Sequence, residues 1–324
     1  VSMTCEQARC FSETFAQLVR NVGQAVLGKD EVVRLVLTAM LAPGHVLLED
    51  APGTGKTSLA RATAATVQGS STRIQFTPDL LPSDVTGVTI YEQSTRTFEF
   101  HQGPVFANIV LADEINRASP KTQSAMLEVM EEGRVTVDGI SHEVADPFMV
   151  IATQNPLEHA GTYRLPEAQL DRFLMKLSLG FPDHASSMQI LAGAALRDRS
   201  SRLGPRIALH AVSDMTRLAE TVHVDPAVLA YVSRLMEETR LAPEVRAGVS
   251  IRGALGLVRA VKVWAAANGR HFVTPDDVKH LAGHVWLHRF VLESEAEFDG
   301  VTAQAIMTRI LREVAAPQAR QQVA

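Results

Sequence analysis

The sequence predicts an α/β fold, a buried parallel sheet with helical crossovers, followed by a mostly helical C-terminal region. Three observations predict it. Five short apolar runs, at 45–49, 73–76, 108–112, 148–153 and 174–179, alternate with helix-like stretches, the pattern of strands covered on both faces. A glycine-rich octet, Asp50-Ala51-Pro52-Gly53-Thr54-Gly55-Lys56-Thr57, joins the first run to a helix-like stretch beginning near Ser58. After Phe181-Pro182-Asp183 the text turns to helical segments, at about 185–198, 208–222, 226–241, 250–268 and 275–291. The expected division is therefore a core of 1–182 with N-terminal helices and a helical domain of 183–324.

The first forty residues read as two helices with Gly28 between them. The octet then reads as a phosphate-binding loop. Glycine lets successive backbone N–H groups close around an anion, a lysine reaches the β and γ phosphates, and a hydroxyl ligates Mg²⁺. Gly53, Thr54, Gly55, Lys56, Thr57 and Ser58 are the candidate binding residues for a nucleoside triphosphate. Asp50 departs from the usual first glycine of the pattern, and its carboxylate should turn away from the phosphates.

The run at 108–112 ends in Asp113-Glu114, two acids delivered to the C-terminal edge of a buried strand, where the phosphate loop also lies. Asp113 is placed to hold Mg²⁺ with Thr57, and Glu114 to orient or deprotonate an attacking water. The run at 148–153 is followed by Gln154, Asn155 and Pro156, which leaves amide side chains at the same edge, Asn155 being the candidate for positioning the water or the γ-phosphate. Two insertions interrupt the alternation. Residues 88–100, with Tyr91, Phe98 and Phe100 around Ser94-Thr95-Arg96, read as one hairpin; 133–144, turning at Asp138-Gly139, read as a second.

These elements together resemble the AAA+ ATPases, and within them the MoxR family of the helix-2-insert clade. The resemblance rests on Gln75 to Gly87 (QFTPDLLPSDVTG), Gly103-Pro104-Val105-Phe106, Asp113-Glu114-Ile115-Asn116-Arg117-Ala118 and Leu165 to Phe173 (LPEAQLDRF), and it extends from about Val26 to about Val278. It implies an AAA+ P-loop core with two inserted β-hairpins lining a central pore, and a C-terminal helical lid. Lys56 and Thr57 match Walker A, Asp113 and Glu114 Walker B, and Asn155 sensor 1. Arg172 matches the arginine finger, which neutralises charge on the phosphoryl group of a neighbour's nucleotide; its other reading is an ion pair with Glu167 or Asp171. Arg252, at the start of a lid helix, matches sensor 2, although Ile251 stands where the family more often has proline. Gly28 lies in the segment that family members pass close to the adenine, and Arg117 is a further candidate near the subunit boundary.

The resemblance also implies ATP and Mg²⁺ as cofactors, a hexameric ring, and a chaperone-like role in maturation, activation or metal-cofactor insertion of client proteins. A von Willebrand factor A domain protein is the expected partner. Two rival classes are a nucleic-acid motor of the helicase type, which shares the inserted hairpins, and a nucleotide-gated scaffold with little turnover.

Composition bounds these readings. With 31 Lys plus Arg against 36 Asp plus Glu among 324 residues, the net charge of −5 gives no bulk pull toward nucleic acid or a membrane surface. Arg34, Pro43 and His45 interrupt the best apolar stretch, so no membrane span is expected. With no secretory pattern near Glu6 and Glu13, a cytoplasmic protein is expected. Cys5 and Cys10 fit neither a disulfide framework nor a C-x-x-C motif and read as free thiols. His280, His284 and His288 recur every four residues but lack the acidic companion of a metal motif, and read as packing or surface histidines.

Overall fold

The computed structural model describes residues 2–51, 53–155, 162–163, 165–193 and 199–317. Pro52 of the octet, Pro156 after Asn155, and positions 194–198 of the expected 185–198 helix lie outside the described residues. Internal contacts divide the chain into two compact units, Ala16–Met215 and Val1–Phe15 with Thr216–Ala324.

In chain order the strands of the first unit are β1 (His45–Glu49), β2 (Ser71–Gln75), β3 (Gly87–Glu92), β4 (Thr97–Gln102), β5 (Ile109–Asp113), β6 (Arg134–Val137), β7 (Ile140–Glu143), β8 (Met149–Gln154) and β9 (Phe173–Leu177). Five of them form one parallel sheet in the order β2-β5-β8-β1-β9. Every residue of β5 is buried, as is all of β8 except Gln154 and all of β1 except Glu49. Strands buried on both faces need cover on both faces, and the crossover helices supply it. The helices to this point are α1 (Cys5–Gly23), α2 (Asp30–Leu41), α3 (Lys56–Thr66), α4 (Pro82–Thr86), α5 (Pro120–Glu132), α6 (Glu167–Leu170), α7 (His184–Ala192) and α8 (Leu209–Glu220).

Leu47, Phe76, Val110, Met126, Val150 and Phe173 are wholly buried in one cluster against this sheet. Each such side chain contributes roughly 1.5–3 kcal/mol, so the interior fixes the strands and frees their ends for polar work. Local chemistry sets the element limits. In α5 the Ser119 hydroxyl accepts from the Thr122 amide, Pro120 opens the helix, and Gly133 at φ 65° closes it. Residue Leu179 falls outside β9, where a longer strand to 179 was expected, because the amides of Leu179 and Gly180 bond to the Asp50 carboxylate rather than to a ladder.

Both expected hairpins are present, as the antiparallel pairs β3–β4 and β6–β7. Asp138 (φ 51°) and Gly139 (φ 77°) make the turn of the second, the conformation an Asp-Gly pair favours. On the first, Tyr91 and Phe98 pack ring to ring at 5.2 Å while remaining exposed.

The second unit holds α9 (Pro226–Leu241), β10 (Val245–Ala247), α10 (Ile251–Ala267), α11 (Pro275–Trp286), β11 (Val291–Leu292), α12 (Ser294–Phe298) and α13 (Ala303–Glu313). Its interior is built around Tyr231, Leu257, Leu281 and Trp286, whose indole N–H donates to the Gly253 carbonyl at 3.0 Å. The helix start expected at Thr274 is a capping box: Thr274 accepts from the Asp277 amide and Asp277 from the Thr274 amide. Asp277 also takes both arms of Arg270, at 2.5 and 2.6 Å. His280 stacks on Trp264 with ring centres 4.7 Å apart. Among the described residues no helix is long and apolar enough to cross a membrane.

Candidate nucleotide-binding site

The strand register decides which side chains can meet. Ala112 lies opposite Ala152, and Ala152 opposite Leu47, so β5, β8 and β1 end level along one edge. That edge carries the loop after β1, the Asp113-Glu114 pair and Asn155. From β1 to β5 is two strand spacings, about 10 Å. A polyphosphate lying on the loop therefore has the two acids beside it.

Gly53 (φ 83°) and Gly55 (φ 98°) hold left-handed backbone, and the latter is the N-cap of α3. A Cβ on either would meet open space, so it is the backbone conformation and not crowding that calls for glycine. Lys56 and Thr57 follow in the first turn of α3, where helix amides and the helix dipole favour an anion. The Lys56 ammonium donates to the carbonyls of Asp50 (2.9 Å) and Ala51 (3.3 Å), drawn over the loop it closes. Asp50 itself faces the other way. Its carboxylate accepts from Ser178 Oγ at 2.7 Å, Leu179 N at 2.7 Å and Gly180 N at 2.9 Å.

A cavity of about 440 Å³ opens beside this loop, lined by Gly53, Thr54, Gly55 and Ser58 at one end. Val26, Leu27, Pro182, Ile190 and Leu191 give it apolar walls. A polar cradle joined to an apolar slot suits the phosphates and base of one nucleotide. Gly28, next to this wall, has φ 68°, and a Cβ there would stand 2.2 Å from Ser186 Oγ, so glycine lets the segment after α1 close on α7. The start of α7 is fixed by Asp183, whose carboxyl lies below the ordinary carboxylate range because the Ser186 amide and hydroxyl bond to it. Lys29 donates to the Phe181 carbonyl at 2.7 Å, and Arg199, also lining the cavity, to the Gln189 carbonyl at 2.8 Å.

The two acids sit in a network. Asp113, 9% exposed, accepts on Oδ2 from Arg73 (Nη2 2.5 Å, Nε 3.1 Å) and on Oδ1 from Thr153 Oγ1 at 2.5 Å. Glu114 takes left-handed backbone (φ 57°), a costly state for a residue with a Cβ. Its amide donates to the same Thr153 hydroxyl at 2.9 Å, and its carboxylate accepts from Gln75 at 2.7 Å and Arg117 at 2.9 Å. The Thr57 hydroxyl and Asp113 carboxylate are hard oxygen donors at one edge, a set that fits Mg²⁺. Asn155, 7% exposed, directly follows β8 at this edge.

One predicted residue lies at the other edge of the sheet. Arg172 precedes Phe173, which pairs with His45, so it belongs to the opposite edge of the sheet, roughly a strand length of 13 Å or more from the phosphate loop. Its guanidinium bonds Glu131 of α5 at 2.9 Å in a polar groove of about 510 Å³ lined by Glu128, Glu132, Arg134 and Gln169. Arg252 occupies the first turn of α10, behind the Ser250 N-cap. It shares a helix face with Arg259, whose pKa is pushed down by burial and by the Arg252 charge.

Sequence reading missed Thr153, Gln75 and Arg73 as parts of the acidic network, and Glu131 as the partner of Arg172. Only Thr153 carried a signal, a hydroxyl in an otherwise apolar strand one register step beyond the Ala112–Ala152 pair.

Comparison with known proteins bears on the family and the fold. Residues 45–175 match the ATPase family associated with various cellular activities (AAA), and residues 237–310 match the AAA lid domain, which places the chain in the AAA class of P-loop ATPases. It is 48% identical over 305 residues to the uncharacterized protein YeaC of Bacillus subtilis (strain 168), covering 94% of this chain and 95% of that one. It is 38% identical over 317 residues to chaperone MoxR1 of Mycobacterium tuberculosis, covering 94% and 83%. A crystal structure from Cytophaga hutchinsonii ATCC 33406 superposes with a TM-score of 0.90 at 35% identity, covering 97% and 98% of the two chains. The chain belongs to the MoxR family of AAA+ ATPases.

Proposed function

We propose that this chain binds ATP with Mg²⁺ in the cavity beside Gly53–Ser58 and hydrolyses it to ADP and phosphate. The observation that carries this reading is that the loop lining the 440 Å³ cavity and the Asp113-Glu114 pair stand at the ends of strands that finish level at one sheet edge. Lys56 exchanges its contacts with the Asp50 and Ala51 carbonyls for the β and γ phosphates. Thr57 and Asp113 would hold the metal, which supplies charge neutralisation to the phosphate oxygens. Glu114 accepts the proton of a water that attacks the γ-phosphorus, Asn155 orients that water, and the bond to the ADP oxygen breaks. Arg172 stabilises the transferred group on a neighbouring copy, which calls for a ring, a hexamer in this family; Arg252, by its match to the sensor 2 position, is the further arginine proposed for catalysis.

The name of the M. tuberculosis relative, a chaperone, supports a chaperone-like role; maturation, activation or metal-cofactor insertion of client proteins is the role proposed for turnover. A von Willebrand factor A domain protein is the proposed partner, and the cytoplasm the proposed compartment. The site reading is tested by paired variants. Lys56→Ala loses ATP affinity, whereas Glu114→Gln binds ATP and does not turn it over. Calorimetric titration beside phosphate release checks this, and equal binding defects in the two variants refute the assignment. Glu114→Gln held with ATP then serves as bait for the partner, and recovery of nucleic acid with replication proteins would favour a motor instead.

A further inference from the structure

Asp50 stands where a phosphate loop ordinarily begins with glycine, and it faces two structures at once. Through its carbonyl it receives the Lys56 ammonium at 2.9 Å. Through its carboxylate it receives three donors from Ser178, Leu179 and Gly180. The residue is 5% exposed, and these three hydrogen bonds offset the hydration its carboxyl group gives up on burial. Leu48 pairs with Leu177 in the β1–β9 ladder, which sets the two chain exits side by side and lets one side chain continue the connection after the backbone ladder stops.

What lies beyond that exit matters. Gly180 has φ 60°, and three residues later Asp183 caps α7, whose Ile190 and Leu191 wall the cavity with Pro182. The chain from the phosphate loop to the apolar wall therefore runs through one buried carboxylate. A glycine at position 50 would leave the loop intact and remove that link.

We infer that Asp50 is a positioning residue, tying the phosphate loop to the β9 exit so that the move of Lys56 from the Asp50 carbonyl to a bound phosphate is transmitted to residues 178–183 and α7. This rests on the nucleotide-site reading above. The role is regulatory in its effect: the loop that senses phosphate and the wall that contacts the base move as one body.

The test is hydrogen exchange by mass spectrometry on full-length wild type, Asp50→Gly and Asp50→Asn, with and without ADP. In wild type, ADP slows exchange across 178–183 by about threefold or more, because the Leu179 and Gly180 amides are held more firmly. In Asp50→Gly the loop regains the common pattern, so ADP affinity stays within about tenfold, 1.4 kcal/mol, while the exchange at 178–183 no longer responds to ADP. A carboxylate that only caps a turn would raise exchange equally with and without ADP and keep the ADP-dependent difference, which overturns the inference. Should Asp50→Gly melt below the assay temperature, Asp50→Asn decides the matter, since its amide keeps the volume and one acceptor oxygen. Loss of half or more of the ADP response supports the link, and a smaller loss overturns it. If wild type binds neither ATP nor ADP, the site reading falls and takes this inference with it. If wild type binds them without any response at 178–183, only the inference falls.

Discussion

Thr153 offers the sharpest single test of the acidic network. Its hydroxyl, wholly buried, donates to Asp113 Oδ1 at 2.5 Å and accepts from the Glu114 amide at 2.9 Å. Thr153→Val keeps the β-branched shape, so it removes both hydrogen bonds without opening a cavity. A hydrogen bond to a charged group contributes about 1.5–3 kcal/mol, and a buried amide left unsatisfied costs about 1–3 kcal/mol. Arg73 still holds the other oxygen of Asp113, which favours the lower part of the sum, about 3 kcal/mol. At roughly 2–4 °C per kcal/mol for a unit of this size, melting should fall by about 6–12 °C. The amide is also what holds Glu114 in its left-handed conformation, so turnover should drop at least about tenfold, equivalent to 1.4 kcal/mol of barrier. Thr153→Ser retains the hydroxyl and should restore most of both. Thermal unfolding followed by circular dichroism, beside phosphate release, gives the two readouts. A Thr153→Val protein that melts within about 2 °C of wild type would refute the reasoning, since the lower bound worked from the two bonds is well above that.

Arg172→Ala should leave ATP affinity within about twofold, 0.4 kcal/mol, and cut turnover by on the order of 10³. Mixing it with Glu114→Gln under subunit exchange should recover activity, and no recovery would sink a finger acting across subunits. Glu244 tests the second unit. Arg309 bonds both its oxygens, at 2.6 and 2.7 Å, and holds its pKa down to about 2 from 4.5. A depressed acid stabilises the fold fully above its unfolded value near 4.5, and that contribution disappears as pH falls toward 2. The pair is partly solvated, which reduces its worth to about 1 kcal/mol. In urea titrations Glu244→Gln should therefore be about 1 kcal/mol less stable than wild type at pH 6, with the gap closing between pH 4.5 and 2.5; a gap that stays constant would show the ion pair is not its source.

What the sequence disclosed was local. Gly53 and Gly55 announce left-handed backbone, Asp138-Gly139 announces a hairpin turn, and Thr274 with Asp277 announces a capped helix, because each signal is complete within four or five residues. The buried strands were legible for a related reason: β5 and β8 are apolar throughout, and little but a sheet covered on both faces accommodates them. What stayed hidden was joined across the chain. Asp50 meets Leu179 from 129 positions away, Gln75 meets Glu114 from 39, and Arg172 meets Glu131 from 41. No pattern of neighbours specifies those pairings, and only the tertiary arrangement of strands and helices brings them together. The two-residue strand β11 is similar, since it exists through its pairing with β10 rather than through any propensity of its own.

The same register bears on how the site is completed. Phosphate loop, acids and Asn155 occupy the C-terminal edge of a parallel sheet, where strand ends and helix starts converge. Arg172 occupies the N-terminal edge, opposite the start of β1, and an arginine side chain does not span the intervening strand length of roughly 13 Å. Its partner there, Glu131, neutralises the guanidinium within the same chain. An arginine so placed serves either the fold alone or a phosphate brought to it from outside, and the groove around it, rich in Glu128, Glu131 and Glu132, would repel a polyphosphate that arrived unaccompanied. On the function proposed above, a phosphate presented by a second copy, neutralised by that copy's lysine and metal, would face no such barrier. If Arg172 acts on a neighbour's nucleotide as proposed above, it must first give up the Glu131 carboxylate, so breaking this 2.9 Å ion pair would be part of the cost of assembly.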